Sequence, residues 1–257
     1  MTNTLRIALV QIPIVWENPQ VNRSLLEEKI SQISDSDIII LPEMFTSGFT
    51  MKPKKIDHTE GQRTIDWMLK IASEKQMAIT GSIVFFEEDK YFNRLFFVSP
   101  DGKTAHYDKR HTFTLAGETD AYKAGINKLI IDYNGFKICP LICYDLRFPV
   151  WARNIESYDV LLYVANWPKP RINAWDTLLK ARAIENMAYC IGVNRVGVDE
   201  SGHEYPGHSA VYDALGKTLV FSKEQEILYT TLYKEHLIST RNKLKFLEDK
   251  DHFTLTI

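Results

Sequence analysis

The sequence has little of what marks several protein classes. Only three of its 257 residues are cysteine (Cys139, Cys143 and Cys190), too few for a disulfide framework, and a chain of this length buries an adequate core without one. Neither sign of charge dominates: 31 Lys and Arg stand against 33 Asp and Glu. There is thus no positive excess of the kind that binds nucleic acid. No stretch approaches the roughly 20 apolar residues that span a bilayer, which speaks against a membrane partner. The opening MTNTLRIALVQIP lacks the layout of a signal peptide. The expectation is a cytoplasmic protein with reduced thiols. Pro/Gly/Ser-rich linkers and internal repeats are missing too, so a single domain over residues 1–257 is expected.

What is present is a strand and helix alternation. Hydrophobic residues make up 45% and charged residues 25%, which is globular composition and excludes a disordered chain. Leu5–Gln11 and Asp37–Leu41 read as short buried strands. Asn18-Pro19 reads as a helix start, and Leu25, Leu26, Ile30 and Ile33 keep helical spacing behind it. A second helix is expected over Gln62–Lys75 and a strand over Met77–Phe86. Ser99–Lys103 and Asn134-Gly135 read as hairpin turns, Asn-Gly because both central residues of such a turn need positive φ. Asp159–Val164 and Tyr189–Arg195 are two further strands around a helix near Ala174–Met187. From Ser209 the pattern gives hairpin-like strands around Asp213–Gly216 and then a polar tail. The pattern implies an α/β domain built on a mixed sheet, or on two sheets with helices outside.

Three residues at the ends of strand-like runs can carry chemistry. Cys143 follows the apolar run Lys137–Ile142 and precedes polar residues. A thiol at such a strand-to-helix turn is expected to be exposed, with neighbouring backbone N–H groups lowering its pKa; inert core packing is the alternative. Cys139 and Cys190 read as core thiols, and the Cys139-to-Cys143 spacing is no zinc or redox motif. Glu43 ends the apolar run Ile38–Leu41 after Pro42, where lost solvation suits a carboxylate to general-base work; a solvated loop acid is the alternative. Lys109 ends Thr104–Asp108 and reads either as a solvated lysine or as the fixed positive charge beside a developing oxyanion. His106 and His111 flank it and leave a Cys–His pair open as another arrangement.

Together these blocks resemble the nitrilase superfamily of carbon–nitrogen hydrolases. The resemblance rests on Leu41-Pro-Glu43-Met-Phe, on His106-Tyr-Asp-Lys109-Arg-His with Gly117-Glu118 after it, and on Ile142-Cys143-Tyr-Asp-Leu-Arg-Phe-Pro. They stand in the family's order and cover essentially the whole chain. The resemblance implies an α-β-β-α four-layer sandwich, usually paired into homodimers through its outer helices. It implies catalytic roles for Glu43, Lys109 and Cys143, a second acid at Glu118, an oxyanion donor in the backbone N–H of Tyr144, and no cofactor or metal. Tyr144–Arg153, Tyr163–Pro168 and Ala181–Asn186 further resemble the omega-amidase branch. Its members hydrolyse the terminal amide of 2-oxo acid monoamides such as 2-oxoglutaramate.

A substrate of that class carries a carboxylate at the end away from the scissile amide. Arg147 is a candidate to bind it bidentately, with an internal ion pair to Asp145 as the alternative. Asn166 and Trp167, at the end of the Asp159–Val164 strand, are expected to wall the pocket beside Cys143. Phe45 and Phe113 are candidate lid aromatics, with core packing as the alternative. Arg182 and Glu185 read as a structural ion pair, and His203 and His208 are assigned no role. The competing functions are another reaction of the same superfamily (a nitrilase, carbamoylase or aliphatic amidase) and a non-catalytic binding protein on the same scaffold.

Overall fold

The computed structural model describes residues 3–256. Fourteen strands follow one another among these residues. β1 (Thr4–Gln11), β2 (Ile38–Ile40), β3 (Ala78–Glu87), β4 (Lys90–Val98) and β5 (Thr104–Asp108) build most of a first sheet. β6 (Ile131–Tyr133), β7 (Phe136–Ile142), β8 (Val160–Ala165) and β9 (Tyr189–Asn194) begin a second. A small hairpin of β10 (Val196–Val198) and β11 (Glu204–Pro206) interrupts it before β12 (Ser209–Tyr212) and β13 (Thr218–Ser222) complete it. β14 (Glu226–Tyr233) then crosses back to pair antiparallel with β1.

The sheets run 14-1-2-3-4-5 and 6-7-8-9-12-13 in strand order. Each has one antiparallel pairing, two parallel ones and two more antiparallel ones. This shared order puts β2 of one sheet where β8 stands in the other, and the loops after those two strands meet at the site described below.

Four layers follow from which residues of a strand face which way. In β1, Leu5, Ile7 and Leu9 join a core with Ile138, Leu141 and Leu162 of the second sheet. The alternating Ala8 and Val10 join another with Leu26 and Ile30 of α1 (Pro19–Ser31) and Met68 and Ala72 of α2 (Glu60–Lys75). Both faces of the sheet are covered, so its central parallel strand β2 is apolar throughout, as such strands require. The short α3 (Glu118–Ala121) packs beside the first sheet, where Ala121 joins Met44, Val84 and Tyr91, and beyond the second sheet come α4 (Pro149–Ala152), α5 (Ile172–Asn186) and α6 (Lys234–Leu244). α5 lies so close to β9 that a Cβ on Gly192 would stand 2.4 Å from a methyl of Leu179. Among the described residues no helix is long and apolar enough to cross a membrane.

The expected elements are present, with three departures. Asn18 caps α1 by accepting from the Val21 N–H, but Leu25 of the expected stripe faces solvent while Leu26, Ile30 and Ile33 go inward. The hairpin between β3 and β4 turns on Glu88 and Asp89, both at positive φ, without the Asn-Gly signal. The residues read as a polar tail contain β14 and α6. β14 sends only Leu228 and Leu232 inward among Tyr and Thr, and α6 buries Leu237 as its one apolar anchor, so neither carries a strong periodic signal.

Candidate active site

The site forms where the two sheets' loops converge. Glu43 lies just past β2, held by backbone bonds from Leu41 and Phe45 to Thr80 and Ser82 of β3. Lys109 is the first residue beyond β5, and its N–H donates to the Asn93 carbonyl on β4 (3.0 Å). Glu118 opens α3 after Gly117, whose φ of +78° turns the chain. Cys143 ends β7 at φ +42°, a left-handed conformation that a side-chain-bearing residue adopts at a cost of about 1–2 kcal/mol. That turn lifts the thiol out of the strand, so that it lines a cavity of about 560 Å³ with Lys109 and Asn166, whereas Cys139 on the same strand stays in the core.

Behind the thiol lies a sealed charge cluster. Lys109 Nζ donates to Glu43 Oε1 at 2.8 Å and to the Glu118 oxygens at 2.9 and 2.8 Å, and all three side chains are 0–1% exposed. The second oxygen of Glu43 accepts the Asn166 N–H (2.8 Å), and the Asn166 amide returns a bond to the Glu43 carbonyl (2.6 Å). Asn93 Nδ2 bridges the carboxylates, at 2.8 Å to Glu43 and 3.1 Å to Glu118. The Phe113 N–H closes the cluster on Glu118 Oε2 (2.6 Å).

The electrostatics follow from this packing. Burial alone would lower the Lys109 ammonium, but the charges of Glu118, Glu43 and Cys143 override it and push its pKa up, so it stays charged. Burial, and the repulsion of Glu43 against the attraction of Lys109, raises Glu118. The expectation of an exposed thiol with a lowered pKa is corrected. Cys143 is only 9% exposed, and burial together with the Glu43 charge pushes it well above the ordinary thiol value of 9.0, against the pull of Lys109. At neutral pH it is a thiol, so it needs a base at the moment it attacks.

Other expectations sort cleanly. His106 is exposed on β5, and His111 bonds Asp145 and stacks on Phe148 at 3.7 Å, so neither bonds Cys143 and the Cys–His arrangement is not formed. Asp145 is occupied by Tyr107, His111 and the Ile142 N–H, and Arg147 has no part in this set. Instead the Arg147 guanidinium lies over the Trp167 ring at 5.0 Å on the cavity wall. Among the described residues it has no carboxylate partner. Tyr144, Asn166, Trp167 and Phe113 also line the cavity. Phe45 does not: it is 1% exposed and packs against Trp67 at 6.0 Å between the first sheet and its helices, because it follows the extended β2 segment back onto β3. The Arg182–Glu185 pair is present at 2.8 Å.

Two site residues escaped the sequence reading. Asn93 is a buried amide in KYFNRLFFV, a strand rich in aromatic and aliphatic residues, and that incongruity was the available signal. Arg171 lines the cavity with its guanidinium 5.1 Å from the centre of the Phe113 ring and no carboxylate partner among the described residues. Following Lys169-Pro170, it reads in sequence as an ordinary surface residue.

Comparison with known proteins agrees with the fold. The carbon-nitrogen hydrolase family model matches residues 6–242, and the chain belongs to this family of the nitrilase superfamily. It is 42% identical over 255 residues to omega-amidase YafV of Yersinia enterocolitica, covering 98% of this chain and 99% of the relative. The 2-oxoglutaramate amidase of Bacillus subtilis is 29% identical over 250 residues, covering 95% and 96%. Among solved structures, XC1258 of Xanthomonas campestris superposes with a TM-score of 0.96 at 40% identity, covering 99% of this chain and 100% of that one. Its structure is described as a CN-hydrolase superfamily protein with an arsenic adduct in the active site.

Proposed function

We propose that the protein is a cysteine-dependent omega-amidase that hydrolyses the terminal amide of small 2-oxo dicarboxylic monoamides, such as 2-oxoglutaramate, to the acid and ammonia. The observation that carries this reading is the convergence of a thiol, an ammonium and a carboxylate at one end of a cavity whose wall holds two unneutralised guanidinium groups. The names of its full-length relatives support the same activity.

The steps balance within the cluster. Glu43 takes the proton of Cys143 as the sulfur attacks the amide carbon, forming the C–S bond and a tetrahedral oxyanion. Lys109 Nζ and the Tyr144 N–H hold that oxyanion; the N–H groups of a first helical turn have no intrahelical acceptor and are free to do so. Removing one such donor typically costs about 100–1,000-fold in rate. The oxyanion collapses, the C–N bond breaks, and the leaving nitrogen takes the proton back from Glu43 and departs as ammonia. Water then loses a proton to Glu43 and attacks the thioester. Collapse of that second intermediate releases the acid, and the sulfur recovers the proton from Glu43. Dividing the reaction at a thioester replaces one difficult step by two easier ones. Glu118 and Asn93 fix the Lys109 ammonium and Glu43 in place.

Arg147 binds the distal carboxylate of the substrate, and Arg171 adds a second positive charge at the same end. A guanidinium suits this task because its fork matches a carboxylate. Phe113, Tyr144 and Trp167 enclose the short carbon chain between. The protein acts in the cytoplasm as a homodimer, the pairing being supported by the exposed apolar Ile184 on α5. The functional test is ammonia release from 2-oxoglutaramate compared with a nitrile, an N-carbamoyl amino acid and glutamine. Preference for the first supports the reading. Preference for another identifies a different member reaction, and no release from any of them, with Cys143 inert to alkylating reagents, makes the chain a binding protein.

A further inference from the structure

Of the buried acids that the mechanism leaves unused, Asp145 stands nearest in sequence to the nucleophile. Asp145 is 0% exposed, two residues beyond Cys143, and among the described residues no Lys or Arg cation pairs with it. Its carboxylate accepts four hydrogen bonds. Oδ2 takes the Tyr107 hydroxyl (2.8 Å) and the Ile142 N–H (3.0 Å). Oδ1 takes the His111 N–H (2.9 Å) and its ring Nδ1–H (2.8 Å). The Tyr107 hydroxyl in turn accepts from the Arg110 N–H (3.2 Å) and from Trp151 Nε1 (3.0 Å).

The placement of these donors is what matters. Tyr107, Arg110 and His111 surround Lys109, which leaves β5 of the first sheet. Ile142 precedes Cys143, which leaves β7 of the second. One carboxylate therefore holds the lysine's loop on both sides and the nucleophile's strand end at once, across the join between the sheets. The stack of His111 on Phe148 (3.7 Å, 5° between planes) fixes the same contact from the other side.

We propose that Asp145 is a positioning residue that sets the spacing between the Lys109 ammonium and the Cys143 thiol. It touches neither substrate nor reacting atoms and acts through Lys109. The proposal rests on the acyl-transfer reading of the site. Its chemistry requires that oxyanion donor and nucleophile keep their separation, because misplacement by about 1 Å costs on the order of 100-fold in rate. In Asp145→Asn an amide NH₂ replaces one acceptor and faces a donor, the Ile142 N–H or the His111 N–H, which pushes the two loops apart.

A double-mutant cycle with Lys109→Met tests this, with ammonia release from 2-oxoglutaramate measured under saturating substrate and folding monitored by thermal unfolding. Asp145→Asn alone is expected to lower kcat about 100-fold while leaving KM within about twofold, the pattern of an interaction needed only in the transition state. Asp145→Asn combined with Lys109→Met is expected to be no slower than Lys109→Met alone, since the residue that Asp145 places is already gone. If the two losses multiply, or if Asp145→Asn raises KM and leaves kcat alone, the proposal is overturned. Should Asp145→Asn fail to fold, Tyr107→Phe and His111→Phe each delete a single bond to the carboxylate and keep the ring packing. Lowered kcat that vanishes in the Lys109→Met background supports the proposal, and wild-type kcat in both variants overturns it. A wild type inactive on every amide removes the acyl-transfer reading and the proposal together, whereas an active wild type with multiplying losses removes the proposal alone.

Discussion

The two ends of the cavity are built on opposite electrostatic rules. At the inner end Lys109, Glu43 and Glu118 are excluded from solvent and bonded to one another at 2.8–2.9 Å. At the outer end Arg147 and Arg171 lie half-buried over Trp167 and Phe113, with no carboxylate near enough to pair with either among the described residues. A buried ion cluster that loses one member leaves an uncompensated charge in a low-dielectric interior, so each part is indispensable to the others. An unpaired guanidinium on a cavity wall costs little, because water still reaches it, and it attracts any anion of suitable shape. The inner end therefore couples stability to chemistry, while the outer end separates recognition from both.

The largest break in this contrast is Lys109→Met. Two buried carboxylates lose their shared cation, and stability is expected to fall by roughly 3–5 kcal/mol, visible as a lowered Tm. Turnover is expected to fall by about 100–1,000-fold with the lost oxyanion donor. A variant with wild-type Tm would show that the cluster does not hold the fold. Next comes the thiol. Because burial raises the Cys143 pKa, its thiolate fraction below that value increases with pH. Glu43→Gln removes the base but leaves the desolvation, so alkylation of Cys143 by iodoacetamide is expected to climb about tenfold per pH unit above neutrality. A rate already level at pH 7 would mean that desolvation alone does not keep the thiol protonated.

The outer end gives smaller effects. Arg147→Met is expected to raise KM for carboxylate-bearing amides by about 10–100-fold, the worth of a hydrogen bond to a charged group. Neutral amides should be unaffected and stability should change by less than about 0.5 kcal/mol. Equal effects on charged and neutral amides would reject its role. Arg171→Met is expected to raise the same KM several-fold, near the ~1 kcal/mol of an ordinary hydrogen bond. Steady-state kinetics on paired charged and neutral amides measures both.

Much of the fold was legible in the sequence because its signals are local. Asn18-Pro19 starts α1 and Asn134-Gly135 turns between β6 and β7 through side-chain and φ preferences that need no partner. Glu43, Lys109 and Cys143 each follow the end of a strand, which marks them in sequence as well as in space. What was not legible depends on contacts between distant segments. Phe45 follows Glu43 in the family block, yet its ring turns to Trp67 because the chain there continues alongside β3. The raised pKa of Cys143 comes from burial and from Glu43 after β2, not from its own turn. Asn93 acts through a bridge between Glu43 and Glu118, which only the folded sheet assembles. The crossing of β14 to β1 aligns Leu228 with Leu9 and Leu232 with Leu5, a register that no local pattern encodes.

The covalent intermediate tests the central claim most directly. Enzyme mixed with excess 2-oxoglutaramate, quenched in acid during turnover and weighed intact by mass spectrometry, is expected to carry one acyl group equal to the substrate less ammonia. Peptide mapping should place that group on Cys143, and the Cys143→Ala protein should show neither adduct nor ammonia. Ammonia released at an undiminished rate by Cys143→Ala would contradict the account.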